Sequence, residues 1–212
     1  MMKRLLAISV FLLMAFAGAA AVAETLPDQT AREVTDKIIG LIKQNRDAYS
    51  KDYKKLYAMV DETLLPLIDF RRISQQVLGP TWRTAADEQR NKFTAEFRDL
   101  LVRTYATALL KYNNEKIVYA PLKAAADDRT VVVKSMIHRT DGGPPISINY
   151  SFFKNKEGMW KIYDMAIEGP SIATTYQRVY AERLQKEGLD QLIASLAQDN
   201  QRARAGGSGA AK

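Results

Sequence analysis

Apolar positions recur along this chain in two rhythms, and the change from one to the other divides it. Over residues 28–49, Val34, Ile38, Leu41 and Ile42 fall three or four apart, which lines one stripe of a helix. Residues 53–68 repeat the pattern with Tyr53, Leu56, Tyr57, Val60, Leu64 and Leu65, and Pro66 marks an end or a kink. A short helix from Phe70 to Leu78 is expected to stop at Gly79-Pro80. The longest helix begins at Asp87. Its stripe is Phe93, Phe97, Leu101, Tyr105, Leu109 and Tyr112, and Asn113-Asn114 close it.

Past that point the period falls to two. Residues 117–122 and 130–138 read as strands, the second with Val131, Val133 and Ile137 on one side. After the turn Asp141-Gly142-Gly143-Pro144-Pro145, the apolar Ile146, Ile148, Tyr150 and Phe152 alternate with Ser147, Asn149 and Ser151. A hairpin turn over 155–158 leads to a last strand, 159–167. Its alternation puts Tyr163, Met165 and Ile167 on one face, and Trp160 and Ile162 on the other. Gly169-Pro170-Ser171 opens a helix to Lys186, Gly188 caps it, and residues 189–196 form a final short helix. Residues 198–212 are polar, then Gly/Ala/Ser-rich, the composition of a disordered tail.

Helices, then strands, then helices predict an α+β fold: an antiparallel sheet of about four strands flanked by N- and C-terminal helices. A curved sheet under helices encloses an apolar interior. The same pattern serves a solid core and an open pocket.

Composition adds a destination. Lys3 and Arg4 precede an apolar run over residues 5–17, and Ala21-Val22-Ala23 is an A-x-A cleavage site. A spanning helix needs about 20 apolar residues, so residues 1–23 read as a cleaved signal peptide, with one domain over 24–197. The leader takes two of the 31 basic residues and none of the 24 acidic ones, which leaves a net charge of +5. That is mildly basic, too little for a nucleic-acid arm. Export without any Cys means no disulfides and no thiolate chemistry, and it favours a bacterial periplasm.

Candidate chemistry is sparse. His138, the lone His, ends a strand and offers no metal cluster. Gly169-Pro170-Ser171-Ile172-Ala173 sits where a nucleophile elbow would, but its last position is Ala and the His lies upstream. Ser171 reads as a helix N-cap. Asp164 lies mid-strand with Glu168 at the strand end. It could pair with an Arg or a backbone N–H, or it could serve as general base in an isomerase-like apolar cone. The basic groups Lys51/Lys54/Lys55 and Arg71/Arg72 read as solvated helix faces able to meet anionic lipid or an acidic partner. Trp82 and Trp160 are assigned to packing.

Two longer stretches carry a resemblance. One is Val77-Leu78-Gly79-Pro80-Thr81-Trp82 with Glu88-Gln89-Arg90, Phe93, Phe97, Leu100 and Tyr105. The other is Trp160 through Tyr163-Asp164 and Glu168-Gly169-Pro170-Ser171, followed by Gly188-Leu189-Asp190 and Leu192. Together they resemble the Mla (maintenance of lipid asymmetry) periplasmic phospholipid-binding proteins, the toluene-tolerance family, over roughly residues 30–197. Pro170 departs from the Val expected there. The resemblance implies an open pocket holding phospholipid acyl chains between sheet and helices, with the lipid as cargo and no cofactor. It implies a monomeric shuttle between an outer-membrane lipoprotein complex and an inner-membrane ABC transporter, and no catalysis. On that reading the inward positions Leu101, Tyr105, Leu109, Val131, Val133, Ile148, Tyr150, Tyr163, Met165 and Ile167 are the expected acyl-chain contacts.

Overall fold

The computed structural model describes residues 26–125 and 127–205. The expected leader, its cleavage site after Ala23 and residues 206–212 lie outside the described residues. Six helices and four strands follow in order: α1 (Pro27–Lys51), α2 (Tyr53–Thr63), a 3-10 turn (Leu65–Leu67), α3 (Phe70–Leu78), α4 (Pro80–Thr84), α5 (Asp87–Leu109), β1 (Lys116–Tyr119), β2 (Thr130–His138), β3 (Ile146–Lys154), β4 (Trp160–Ile167) and α6 (Ile172–Ala205). The expected α+β class holds.

Local chemistry sets the helix boundaries. Pro27 opens α1, where its missing N–H costs nothing. The Asp52 carboxylate accepts from the Lys54 amide at 3.0 Å, and Asp69 accepts from the Arg72 amide at 2.9 Å, capping α2 and α3. Gly79 takes a φ of 54° between α3 and α4, a region where a side chain is strained. At the start of α5 the Gln89 side chain accepts from the Ala86 amide at 2.9 Å. At its far end Arg46 of α1 donates to the carbonyls of Leu110 and Tyr112, which have no helical partner.

The strands form one antiparallel meander in the order β1-β2-β3-β4. Register places Val131, Phe152 and Ile162 in one row, Val133, Tyr150 and Met165 in the next, and Ser135, Ile148 and Ile167 in a third. Between Ser151 and Phe152 the register against β4 shifts, because Tyr163 is an extra, unpaired residue. This corrects the alternation expected for β4. The bulge returns Ile162 to the face of Met165 and Ile167 and takes Tyr163 off it.

The free side of β4 is covered. Ile68 bridges to Ile162 and the Asp69 amide donates to the Ile162 carbonyl at 2.8 Å, so α3 runs along that edge. α4 is a helix that the apolar pattern did not reveal. Gly188 is non-helical (φ 79°, ψ 172°) and divides α6 into two helical stretches, as the expected cap there predicted. The tail expected to leave the fold at Gln198 stays helical to Ala205. Asn200, 1% exposed, accepts from Arg103 and donates to the Glu96 carbonyl at 3.0 Å, pinning that turn to α5.

The apolar interior is divided. One cluster lies among α3, α4, α5 and α6 around Phe93, Phe97, Trp82, Tyr180 and Leu192. A second joins α1, α2 and α5 around Ile42, Leu56 and Val60. The third belongs to the sheet: Val131, Val133, Phe152 and Ile162, with Ala31 of α1. Ile68 packs against both the first and the third.

Candidate functional site

The helix-facing side of the sheet grades from buried to half-buried along its length. Phe152 is 0% exposed and Val133 1%, and Val131 and Ile162 are buried beside them. Ile148, Tyr150, Met165 and Ile167, on the same face, remain half-buried. Of the helices, α1 packs on β2 and α6 on β4, while α5 carries Leu101, buried in the first cluster, with Tyr105 half-buried against that cluster and Leu109 half-buried against the second. Met165 and Ile167 reach from the sheet to the same helical cluster as Tyr105. Half-buried apolar side chains of the sheet, Met165 and Ile167, and of α5, Tyr105, thus border the same helical cluster, at the seam between sheet and helices. A well-packed interior does not leave such side chains partly uncovered without reason.

Of the ten expected contacts, Val131, Val133, Ile148, Tyr150, Met165 and Ile167 share the inner face of the sheet, Leu101 and Tyr105 belong to the α3–α6 cluster, and Leu109 packs against the α1–α2–α5 cluster. Tyr163 joins none of these. The bulge turns its ring to the outer flank of the sheet, edge-on to Phe153 at 5.8 Å between centroids, with the Arg72 guanidinium 4.9 Å from its centre.

The polar groups of the seam are hydroxyls. Tyr150 is hydrogen-bonded to Ser135, and burial pushes its ionisation up to about 12, with nearby Tyr119 adding to the rise. Ser135, 2% exposed, also donates to the Ile148 carbonyl at 3.3 Å. Burial raises Tyr105, Tyr119 and Tyr176 in the same sense. These tyrosines present a neutral surface with an apolar body and a polar tip.

Asp164 is fully occupied. One carboxylate oxygen accepts from the Ser171 hydroxyl at 2.5 Å and the other from the Ala173 amide at 3.2 Å. Ser171 in turn accepts from the Thr174 amide at 3.1 Å, as expected of an N-cap. The intervening turn needs Glu168 at φ 51° and Gly169 at φ 110°. It is tied back by the Glu168 amide donating to the Ser147 carbonyl at 2.9 Å. The Tyr-Asp-x-x-x-Glu-Gly-x-Ser run is therefore a strand-to-helix joint, and the general-base reading of Asp164 finds no support. His138 is exposed at the end of β2. Among the described residues, no group of three or more His, Cys, Asp or Glu could hold a metal ion.

Sheet, helical cover and a half-buried apolar seam define an α+β binding protein suited to an apolar ligand. The MlaC protein family matches residues 32–198. The intermembrane phospholipid transport system binding protein MlaC of Haemophilus influenzae is 32% identical over 199 residues, 93% of each chain. The toluene tolerance protein ttg2D of Pseudomonas putida is 28% identical over 170 residues, 80% of this chain and 78% of that one. The structure of a phospholipid-binding protein from Ralstonia solanacearum, in complex with a phospholipid, superposes with a TM-score of 0.75 at 33% identity. That match covers 82% of this chain and 97% of the other. The chain belongs to the MlaC family.

Proposed function

We propose that this protein is a phospholipid carrier that holds acyl chains along the seam between its sheet and α5. The observation that carries the reading is the row of half-buried apolar side chains there, in a fold shared with a relative solved around a phospholipid. Tyr105, Leu109, Ile148, Tyr150, Met165 and Ile167 are the proposed acyl contacts, with Leu101, Val131 and Val133 behind them. Tyr163 is left out because it points elsewhere.

Energetics limit how such a carrier works. Burying about thirty methylenes gains about 24 kcal/mol over water, at about 0.8 kcal/mol each. A bilayer offers the chains nearly the same. Loading and unloading then turn on small differences in affinity, which partners set. The headgroup has no need to enter the seam, so selectivity among headgroups is expected to be weak. Holding lipid breaks no covalent bond, which fits a chain that catalyses nothing.

The family name and the N-terminal pattern support the rest. The chain is exported to the periplasm, acts as a monomer, and shuttles phospholipid between an outer-membrane lipoprotein complex and an inner-membrane ABC transporter. No helix among the described residues is long and apolar enough to cross a membrane. The test is solvent extraction of purified protein followed by mass spectrometry. It should return close to one phospholipid per chain, and finding none even after incubation with vesicles would sink the reading.

A further inference from the structure

A second recess lies on the other flank of the sheet, where the bulge sends Tyr163. There α3, α4 and β4 border a groove of about 910 Å³ whose walls include Arg71, Arg72, Arg83, Gln75 and Trp82. It is separate from the seam: Phe153, which flanks it, alternates with the buried Phe152 of the inner face.

Two of its arginines, Arg71 and Arg72, are held in place by their neighbours. The Arg72 guanidinium lies 4.1 Å from the centre of the Phe153 ring and 4.9 Å from that of Tyr163. Stacking covers the faces of a guanidinium and leaves its edge donors free for a carboxylate. Arg71 lies 5.2 Å from the centre of Trp82, donates to Asn91 at 3.0 Å, and has Asp87 at 3.7 Å. Among the described residues no ion pair joins Arg72 or Arg83 to a carboxylate. Asp69, the acidic residue of the groove, is engaged in capping α3. Gln75 adds an exposed amide able to bond a main chain.

We propose that this groove is a docking site for an acidic, extended segment of a partner protein. At about 910 Å³ the recess is far larger than a single anion fills and leaves room for several residues of an extended chain. Fixed guanidinium edges suit the paired oxygens of Asp and Glu side chains. A lipid surface fits less well. The large apolar side chains that are exposed, such as Val118, Val132, Met136 and Val179, do not line the groove, so nothing there would enter a bilayer.

The test uses the mature full-length protein and a fluorescein-labelled decamer of glutamate, read by fluorescence anisotropy. The expected result is saturable binding, weakened about tenfold or more by Arg72→Glu with Arg83→Glu. The control pair Lys116→Glu with Lys134→Glu, on the outer face of the sheet, should change it by less than about twofold. Single Arg83→Gln, at an exposed position, keeps the fold if the double reversal does not, and should weaken binding in the same direction. Absence of decamer binding, equal loss in both pairs, or arginine-dependent binding of phosphatidylglycerol vesicles in place of the peptide would each overturn the proposal. Phospholipid content is measured on the same samples. Its absence would count against the carrier reading alone, since the groove does not depend on it.

Discussion

Tyr150 brings a hydroxyl onto an otherwise apolar row, between Val133 and Met165. An unfolded tyrosine ionises near pH 10, whereas burial pushes this one up to about 12. The folded chain therefore holds the proton more tightly than the unfolded one. The resulting stability is complete below pH 10 and is lost as the pH rises from there to about 12. Thermal melts across that window should fall more steeply for the parent than for Tyr150→Phe. At neutral pH the variant should be less stable by about 1 kcal/mol, through loss of the hydrogen bond to Ser135. Equal slopes would show that the ring is not buried in solution. Alternation alone marked Tyr150 as inward, since the step of two is rigid within a strand. Nothing in the sequence said whether its surroundings were solid or partly open. That depends on how closely the helices approach the sheet, which is a property of several elements together.

At the level of elements, most boundaries were legible because they are chemical. Gly79-Pro80 ends α3 as expected, and β2 runs over 130–138 as read. The bulge was not legible. An added residue in β4 leaves Tyr163, Met165 and Ile167 looking like one continuous alternation, and only the pairing partner reveals the slip. Gly188 was legible as an end because its φ of 79° is a glycine conformation, and the helix that resumes after it sends Leu189, Leu192, Ile193 and Leu196 into the same cluster as Tyr180. The tail past Gln198 looked too polar to fold, but Asn200 is satisfied by Arg103 and Glu96, which no periodicity records. The joint between β4 and α6 depends on Asp164. Asp164→Ala should lower unfolding stability by about 1–3 kcal/mol, since it leaves the Ala173 amide and the Ser171 hydroxyl without their acceptor. Denaturant melts would read this. A change under about 0.5 kcal/mol would mean the joint is held elsewhere.

For the whole molecule, the division of the interior matters most. The helical clusters contain their own fully buried aromatics, Phe93 and Phe97, and the sheet cluster contains Phe152. A seam that holds acyl chains, as proposed, would therefore load and empty without dismantling either side. Ile148→Trp should fill part of the seam, cutting co-purified phospholipid severalfold while shifting stability by less than about 1.5 kcal/mol. Extraction with mass spectrometry and a denaturant melt check the two halves. Full lipid content in a folded variant would place the acyl chains elsewhere. The groove by Arg72 was half visible in the sequence. Arg71 and Arg72 stood out as a basic pair, but Arg83 joins them only because the chain reverses at Gly79-Pro80, and the stacking rings come from strands far along the chain.

The covering of β4 bears on what happens when such a molecule is empty. Vacating the seam would uncover side chains, but it would not uncover a run of unpaired backbone. Ile68 and Asp69 occupy the outer edge of β4, and the opposite edge strand, β1, is only four residues long. Fibrillar growth needs a long open edge to template the next strand. An unloaded copy is thus sticky in the manner of a detergent micelle rather than a seed, and any clumping it undergoes should dissolve when lipid is returned.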